Sequence, residues 1–548
     1  MSARATVGEV IAAFLEECGV GAAFGVISIH NMPFLDAIGR RGKIRYVSAR
    51  SEPGAINMAD AYARVGAQLG VAFTSTGTAA GNASGAMVEA QTAGTPMLHI
   101  TGQIDLAHVD KEHGFIHEAR DQLTMLKAVS KTAWRVTDAE SALDIFKKAA
   151  CSALTAPTGP VSVEVPIDIQ QTEIDWPEDL TPLRINTVQP DDAALDTLAE
   201  SISLATRPML WLGGGARHAG DAVNRFVDMG FGIVTSTQGR GIIREDHPST
   251  LGAYNMYSAV ESFYDSCDAM LVAGSRLRGN ETLKYQLRLP RPLYQIDVDS
   301  RAESERPYIP DGFVLGDSAL ALSGLADRLD GKIDVDPAFA KDLATARHKA
   351  ETFLQEGLEP YGALLTAIQE NGGDDFLWVR DVTISNSTWG NRAILINGPH
   401  DGVHAMGGGI GQSVQMAIGA AIAEPEKKVI CLAGDGGLQV NIGELATATQ
   451  ENVRIILILM NSRDYEVIKN IQDAQYGGRQ YFSDIYTPDF AAIARANGWG
   501  HEQLTNLGNA NAVIRDALLS KGSNLIEVDM ASIGAYARAF GGPPVKKI

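Results

Sequence analysis

Apolar and polar positions along the first 170 residues follow two different periods. Residues 7–18 and 53–64 carry apolar side chains at helical spacing, whereas 71–73 and 97–100 are continuously apolar runs that end in turns of small residues. Short buried strands that alternate with amphipathic helices predict a parallel sheet with helices on both faces. This part of the chain is therefore predicted to form one α/β unit.

The same alternation recurs twice more along the chain. Its further strand-like runs are 208–212, 269–273, 293–298, 429–432 and 455–460. A polar stretch rich in proline and acidic residues, 170–190, separates the first unit from the second, and another polar connection precedes the third. The expected fold class is α/β, with three doubly wound parallel-sheet domains at residues 1–175, 190–332 and 358–548.

Composition and charge narrow the class of protein. Across 548 residues, 46 Lys and Arg stand against 66 Asp and Glu, for a net charge of −20, and basic residues do not cluster as a phosphate-binding surface requires. The most apolar run, 455–460, is far shorter than the roughly 20 residues that cross a bilayer, and the N-terminus lacks the apolar core of a signal peptide. We expect a cytoplasmic protein that binds neither nucleic acid nor membrane.

One segment combines a predicted strand with a carboxylate among glycines. The strand is followed by Gly434, Asp435, Gly436 and Gly437. Glycines allow a sharp turn and a close approach of the backbone to a ligand, and Asp435 stands at the carboxyl end of the strand, where α/β sheets bind ligands. The segment is a candidate site for a charged ligand.

Oxygen-bearing residues follow the next predicted strand and are expected to lie beside Asp435. They are Asn461, Ser462 and Asp464. One carboxylate, one neutral side-chain oxygen and one backbone carbonyl suit Mg²⁺, which keeps water and substrate phosphate in its other positions. The sequence therefore predicts a site for a metal ion and a diphosphate.

Gly434-Asp435-Gly436 followed by Asn461 resembles the signature of thiamine-diphosphate (ThDP) enzymes. The resemblance covers essentially the whole chain, in the order of acetolactate synthases, benzoylformate decarboxylases and 2-hydroxyacyl-CoA lyases. It implies a pyrimidine-binding domain, a central domain and a diphosphate-binding domain, in that order. It also implies that ThDP and Mg²⁺ are the cofactors.

The resemblance leaves the second metal ligand open. If Tyr465 aligns with the tyrosine that commonly follows the metal-ligand motif, the ligand is Ser462, where relatives usually have Asn or Asp. We favour Asp435, Ser462 and the backbone carbonyl of Asp464, with Asn461 as the alternative to Ser462. A serine hydroxyl is the weaker ligand, and this substitution is the feature that favours a catalytically silent ThDP-binding homologue.

The loop that carries the metal ligands departs from the family in a second way. Arg463, Asp464 and Glu466 occupy positions where glycines are common in relatives. We expect this loop to become ordered less readily when the cofactor is absent.

Other segments resemble the cofactor contacts of the family. Ser51-Glu52-Pro53 resembles the catalytic-glutamate motif, which implies that Glu52 hydrogen-bonds N1′ of the aminopyrimidine. The segment 407–411 resembles the one in which a glycine carbonyl, here Gly408, accepts from the 4′-amine. An apolar residue of that segment, here Ile410, holds the two rings of the cofactor in a bent V-conformation. The other implied cofactor contacts are Ser385, Asn386, Gly434, Gly436, Gly437, Asn461 and Tyr465.

Two loops of the first domain resemble those that line the reacting centre. Ser28 and His30 follow the first predicted strand, and Ser75 stands where benzoylformate decarboxylases have a catalytic histidine. His117 occupies a position where acetolactate synthases usually carry glutamine. A histidine beside the reacting carbon can donate or accept a proton at neutral pH. We take these four residues as candidates for contact with the substrate.

The implied reaction cleaves or forms the C–C bond next to the carbonyl of a 2-oxo acid, as in acetolactate synthases. Benzoylformate-type decarboxylation and 2-hydroxyacyl-CoA cleavage are the alternatives within the family. Relatives use the central domain for FAD, for ADP or for neither, so a second cofactor is left open. An NAD oxidoreductase is disfavoured because no G-x-G-x-x-G opens a βαβ unit with a ribose-binding acid after it.

Relatives bind the cofactor between the pyrimidine-binding domain of one subunit and the diphosphate-binding domain of another. This arrangement implies a homodimer or homotetramer whose active sites lie at the subunit interface. Glu52 and Asp435 of one chain are then expected to serve different active sites.

Overall fold

The structure is a computed structural model, and it describes residues 4–542. These residues form three parallel sheets flanked by helices, together with a small antiparallel pair of strands. The α/β fold class with three doubly wound domains, predicted from the sequence, is confirmed.

The N-terminal sheet has six parallel strands in the order β3-β2-β4-β5-β7-β6, and β1 pairs antiparallel with β8. The strands are β1 (Arg4–Thr6), β2 (Ala22–Gly25), β3 (Arg45–Ser48), β4 (Gly70–Thr74), β5 (Met97–Gln103), β6 (Thr132–Arg135), β7 (Pro160–Pro166) and β8 (Glu173–Asp175). The helices are α1 (Val7–Glu17), α2 (Met32–Arg41), α3 (Glu52–Gly66), α4 (Thr78–Ala93), α5 (Gln122–Val129), α6 (Ala142–Leu154) and α7 (Ile167–Gln171).

The central sheet has five parallel strands in the order β10-β9-β11-β12-β13. Residues 176–191, which precede it, contain no helix or strand. The strands are β9 (Pro208–Leu212), β10 (Gly232–Thr235), β11 (Ala269–Ala273), β12 (Leu293–Asp297) and β13 (Gly312–Leu315). The helices are α8 (Asp192–Ile202), α9 (Gly220–Asp228), α10 (Ser258–Tyr264), α11 (Ser318–Leu329) and α12 (Phe339–Leu358).

The C-terminal sheet has six parallel strands in the order β15-β14-β16-β17-β19-β18. The strands are β14 (Phe376–Arg380), β15 (Gly402–His404), β16 (Lys428–Gly434), β17 (Ile455–Asn461), β18 (Gly500–Leu504) and β19 (Asn524–Asp529). The helices are α13 (Gly362–Gly372), α14 (Ser413–Ala423), α15 (Asp435–Val440), α16 (Glu444–Gln450), α17 (Glu466–Gln475), α18 (Phe490–Ala496), α19 (Ala510–Leu519) and α20 (Met530–Ile533).

Burial explains why the middle strands are continuously apolar. Every residue of β17 is buried, because helices cover both faces of the sheet. Short helix-start signals complete the pattern: Thr6 and Glu9 form a capping box at α1, and the Ser51 hydroxyl caps α3 by accepting from the Gly54 amide.

The N-terminal and C-terminal units of the chain pack closely through α3 and α14. A Cβ on Gly419 would lie 2.1 Å from the carbonyl oxygen of Met58, so only glycine allows the two helices to approach this closely. Within residues 4–542, no helix is both long enough and apolar enough to span a membrane.

Candidate active site

The carboxyl ends of the C-terminal strands, here called the C-domain edge, bring together the candidate metal ligands. Asp435 is the first residue of α15 and is 1% exposed. Its Oδ2 accepts from the Arg463 amide at 3.0 Å, which places the loop after β17 beside the end of β16. Burial raises the pKa of Asp435 to about 6, against the opposing effect of nearby backbone amides.

The loop after β17 presents the other predicted oxygen donors. The Ser462 hydroxyl donates to the Asp464 carbonyl at 3.1 Å, so these two oxygens lie together near the Asp435 contact. Asn461, the alternative ligand, directs its amide nitrogen to Glu527 Oε1 at 2.7 Å, while its Oδ1 is buried without a partner. The geometry leaves both Ser462 and Asn461 as candidate ligands beside Asp435 and the Asp464 carbonyl.

The donor set contains few charged side chains. Among residues 4–542, no three His, Cys, Asp or Glu side chains converge into a metal site. Besides the Asp435 carboxylate, a cation held here would depend on hydroxyl and carbonyl oxygens and on the phosphate oxygens of a bound diphosphate. That requirement fits Mg²⁺, which binds proteins through one or two carboxylates together with substrate phosphates.

At Arg463 this loop adopts a backbone conformation that favours glycine. Arg463 has φ +66°, in the left-handed region that glycine adopts readily. The loop is held in place by the Arg463 guanidinium, which lies 3.3 Å from Asp529, and by the Lys469 ammonium, which donates to Asp464 Oδ2 at 2.9 Å. The ion pairs therefore hold a conformation that glycine reaches without strain.

The glycines around Asp435 form a close-packed turn. A Cβ on Gly436 would lie 2.6 Å from Cε1 of Tyr465, so the tyrosine ring packs directly on the backbone. A Cβ on Gly437 would lie 3.1 Å from Asp381 Oδ2, and Gly434 caps the start of α15. The turn admits no larger residue at Gly436 without displacing Tyr465.

Asp381, which the sequence analysis missed, organises the second glycine segment. Both of its carboxylate oxygens accept from the Gly411 amide, at 3.1 and 3.0 Å, and Oδ2 accepts from the Ser413 hydroxyl at 3.1 Å. Burial raises its pKa to about 6. The only signal in the sequence is its position directly after a buried strand, at the edge that also carries Asp435.

The middle of that glycine segment is open. Gly408 has φ +83° and nothing within 4 Å of the position of a Cβ, and Ile410 is 39% exposed. Both implied cofactor contacts are thus presented to the outside of this subunit.

Ser385 and Asn386 have side chains that are engaged within the protein. The Ser385 hydroxyl is hydrogen-bonded to the Tyr536 hydroxyl at 2.7 Å, and Asn386 Oδ1 accepts from Arg380 Nε at 2.9 Å. Both carbonyls also accept hydrogen bonds within the protein, from the Thr388 hydroxyl and the Asn391 amide, so the structure does not test the implied cofactor contacts.

Glu52 is the first residue of α3, at the carboxyl end of the N-terminal sheet, here called the N-domain edge. It is half-buried, and its Oε2 accepts from Asn82 Nδ2 at 3.2 Å. The preceding Ser51 donates to Glu444 Oε1 at 3.0 Å, so the start of α3 is tied to the C-terminal unit of the same chain. A carboxylate at a helix start is favoured by the helix dipole.

The four candidate substrate residues lie on loops that leave the N-domain edge. Ser28 Oγ, His30 Nδ1 and Ser75 Oγ are all buried without a hydrogen-bond partner. The rings of His30 and His117 are 5.3 Å apart, edge to face. Burial, and then the charge of His117, lower the pKa of His30. The structure therefore brings the two histidines together.

Glycines of the central domain allow its turns to pack closely on one another. A Cβ on Gly213 would lie 2.2 Å from the Gly274 carbonyl oxygen, and one on Gly239 would lie 2.2 Å from that of Leu212. These glycines allow three turns to pack on one another, which accounts for them without FAD or ADP. The backbone packing gives no support for a nucleotide cradle.

Arginines near those turns anchor the other two domains. Arg276 donates to the Thr92 carbonyl at 2.8 Å, and Arg278 donates to the Met406 carbonyl at 3.0 Å. The buried Arg240 pairs with Glu245 and donates to the Asn391 carbonyl at 2.8 Å. These arginines of the central domain therefore help to fix how the three domains pack together.

Comparison with known proteins identifies the class to which this fold and site belong. Three family models match the chain: the N-terminal TPP binding domain of thiamine pyrophosphate enzymes over residues 5–125, their central domain over 195–325 and their C-terminal TPP binding domain over 384–528. The chain belongs to this family of ThDP-dependent enzymes, as its resemblance in sequence implied.

Individual relatives span nearly the whole chain. A probable 2-ketoarginine decarboxylase of Pseudomonas aeruginosa is 29% identical, over 95% of this chain and 94% of its own. The acetolactate synthase isozyme 1 large subunit of Escherichia coli is 26% identical, over 96% and 94%. The acetolactate synthase large subunit of Parasynechococcus marenigrum is 26% identical, over 94% and 86%.

Proposed function

We propose that the protein decarboxylates a 2-oxo acid with ThDP and Mg²⁺, at a site formed by the N-domain edge of one subunit and the C-domain edge of another. The observation that carries the proposal is the meeting of Asp435, Ser462 and Asp464 at neighbouring strand ends, through contacts of 3.0 and 3.1 Å. A cytoplasmic homodimer or homotetramer is part of the same proposal.

The residues present fit both cofactors. Asp435, the Ser462 hydroxyl and the Asp464 carbonyl would hold Mg²⁺, and buried oxygens left without partners nearby belong to Asn461 and Asp464. Gly408, which has open space around its backbone, and the exposed Ile410 would face the organic cofactor. When bound, ThDP supplies the electron sink that stabilises the charge left by departing CO₂.

Glu52 would hold a proton at the cofactor's pyrimidine ring. Its carboxylate stands at the start of α3, where a single hydrogen bond from Asn82 leaves its other oxygen available. A carboxylate within hydrogen-bonding distance of a ring nitrogen acts as a general acid and base. The two links from Arg50 and Ser51 to the buried Glu444 would keep the start of α3 from shifting during turnover.

Residues at the N-domain edge would bind the substrate and protonate the carbon atom from which CO₂ leaves. The free hydroxyls of Ser28 and Ser75 can donate to the carboxylate of a 2-oxo acid. In the net reaction the C–C bond to the carboxylate breaks, CO₂ leaves, and a proton takes its place to give an aldehyde. The paired His30 and His117 are suited to deliver that proton, which favours decarboxylation.

Carboligation to a 2-hydroxyketone is the second candidate. It is favoured by the relatives named acetolactate synthases, which match at least nine-tenths of this chain. Both candidates begin with loss of CO₂ and differ only in whether a proton or a second carbonyl compound then reacts. The pair of His30 and His117 favours reaction with a proton, and therefore decarboxylation, over carboligation.

The test is CO₂ release by the purified protein with ThDP and Mg²⁺, using pyruvate, phenylglyoxylate and 2-ketoarginine. Omission of ThDP, and removal of Mg²⁺ with a chelator, are the matched controls. We expect release that requires both, with an aldehyde seen by NMR. A 2-hydroxyketone would favour carboligation instead. Absence of release from any acid, with ThDP shown to be bound, would contradict the proposal and leave an acyl-CoA lyase or a silent homologue.

A further inference from the structure

The segment that leads into the open glycines is held by a carboxylate from the N-terminal domain. We call Gly407–Gly411 the glycine arch. Glu89 on α4 accepts from the Met406 amide through Oε1 and from the Gly407 amide through Oε2, both at 2.6 Å. Glu89 is 1% exposed, so these are buried hydrogen bonds to a charged acceptor, which are among the stronger ones in proteins.

Glu89 is itself fixed by a buried arginine. Arg64 lies 3.0 Å from Glu89 Oε1 and donates to the His404 carbonyl at 2.8 Å, so it binds both the carboxylate and the chain that the carboxylate holds. Asp60, one turn earlier on α3, pairs with the same guanidinium. The His404 carbonyl and the amides of Met406 and Gly407 are therefore bound from the N-terminal domain, while Arg278 of the central domain binds the Met406 carbonyl.

The far end of the glycine arch is held independently. Asp381 accepts from the Gly411 amide at 3.0 Å. Between the two ends, the position of a Cβ on Gly408 has no neighbour within 4 Å, and Ile410 is exposed. The glycine arch is thus fixed at both ends and open in the middle. The middle contains Gly408 and Ile410, the two residues that we propose contact the cofactor.

We propose that Glu89 is a positioning residue that holds the glycine arch in the position required for cofactor binding. This inference rests on the proposed function in one respect, namely that Gly408 and Ile410 contact ThDP. A second observation supports it: a Cβ on Gly407 would lie 2.9 Å from Glu89 Oε2, so glycine at this position lets the carboxylate approach the chain.

The test is Glu89→Gln in the full-length protein, followed by hydrogen–deuterium exchange without cofactor. Glutamine keeps one acceptor oxygen but turns an NH₂ group toward an N–H donor, so at least one amide loses its partner. We expect exchange in peptides that cover residues 404–411 to rise about tenfold or more, because a buried amide without a partner opens more readily.

A matched control separates positioning from loss of domain packing. Glu444 is also a carboxylate with 1% exposure between the N-terminal and C-terminal units, but it accepts from the Arg50 amide and from Ser51. Glu444→Gln is expected to leave exchange in residues 404–411 as in the wild type. Unchanged exchange in Glu89→Gln, or an equal rise in Glu444→Gln, would overturn the proposal.

Titration with ThDP and Mg²⁺, followed by tryptophan fluorescence, gives the second readout. We expect the Kd for ThDP in Glu89→Gln to rise about tenfold, with a larger change in the KM for ThDP than in kcat. If the wild type bound no ThDP, the proposed function would fail while the exchange result stood. If the wild type bound ThDP and the variant matched its Kd, the role of Glu89 alone would fail.

Gly407→Ala provides a test that does not remove a buried charge. Gly407 is exposed, so an alanine there perturbs the core little, but its Cβ would push against Glu89 Oε2. Should Glu89→Gln fail to fold, Gly407→Ala is expected to produce the same rise in exchange at residues 404–411. Wild-type exchange in Gly407→Ala would then overturn the proposal.

Discussion

The C-domain edge and the N-domain edge differ in the kind of buried atom that they leave without a partner. At the C-domain edge these atoms include the acceptor oxygens Asn461 Oδ1 and Asp464 Oδ1. At the N-domain edge they include the hydroxyls of Ser28 and Ser75 and the ring nitrogen His30 Nδ1. Acceptor oxygens attract a cation, whereas hydroxyls and imidazole can donate to an anion.

This difference indicates that the two edges bind different kinds of ligand. Buried polar atoms are costly unless they are paired, so atoms left unpaired indicate where a ligand completes the site. One edge is suited to a metal ion with its diphosphate, and the other to the carboxylate and carbonyl of a substrate. Substitutions at each edge test this division of roles.

The largest effect is expected at Glu52, which lies at the N-domain edge and which we propose acts on the cofactor. Glu52→Gln removes the proton exchange at the pyrimidine ring and should lower kcat about a hundredfold or more, while ThDP still binds. Steady-state rates and ThDP titration measure the two effects. Retention of more than about a tenth of the wild-type activity would show that another group performs this role.

The next largest effect is expected at Asp435. Asp435→Asn removes the buried carboxylate that we propose as a ligand of the cation, and should weaken Mg²⁺-dependent binding of ThDP about a hundredfold. Calorimetry with and without Mg²⁺ measures it. Asp484→Asn, an exposed carboxylate near the same loop, serves as the control and should bind like the wild type. Unchanged binding in Asp435→Asn would refute the metal assignment.

Loss of a free hydroxyl at the N-domain edge should weaken substrate binding. Ser28→Ala and Ser75→Ala are each expected to raise the KM for the 2-oxo acid about tenfold, without changing the Kd for ThDP. Ser84→Ala is the control, because the Ser84 hydroxyl already donates to the Ala80 carbonyl within α4. If the serine variants changed ThDP binding instead, the two edges would not have separate roles.

The histidine pair should respond to pH. Burial and His117 both lower the pKa of His30, so His117→Ala removes one of the two causes and raises that pKa. The limb of the activity profile that reports His30 should therefore move to higher pH. His113→Ala, whose ring contacts His108 instead, is the control. An unmoved profile in His117→Ala would mean that His30 does not titrate in the catalytic cycle.

The smallest effect is expected at Ser462, the weaker of the proposed metal ligands. Ser462→Asn introduces the oxygen that relatives usually have, and should tighten Mg²⁺ binding about threefold. Titration with Mg²⁺ at fixed ThDP measures it. If Asn461→Ala abolished Mg²⁺ binding while Ser462→Asn changed nothing, Asn461 would be the ligand in place of Ser462.

Much of the fold could be predicted because it depends on local pattern. The run 455–460 is apolar because β17 is buried on both faces, and the glycines around Asp435 mark a turn at the end of a strand. Both signals lie within a few adjacent residues. Three family models confirm the class of enzyme that these motifs indicated.

Contacts between remote segments could not be predicted from the sequence. Glu89 and Gly407 are far apart along the chain, and meet only because α3 and α4 pack against the C-terminal unit. Asp381 likewise acts on Gly411 from another loop. The left-handed backbone of Arg463 is held by Asp529, and no local pattern around an arginine indicates that conformation.

The central claim is that Glu52 of one subunit and Asp435 of another act in the same active site. Mixing refolded Glu52→Gln and Asp435→Asn subunits tests it directly, since a mixed dimer contains one site with both residues intact. Random pairing of two chains should restore about a quarter of the wild-type CO₂ release. A mixture no more active than the separate variants would contradict the claim and place both residues in a site within one chain.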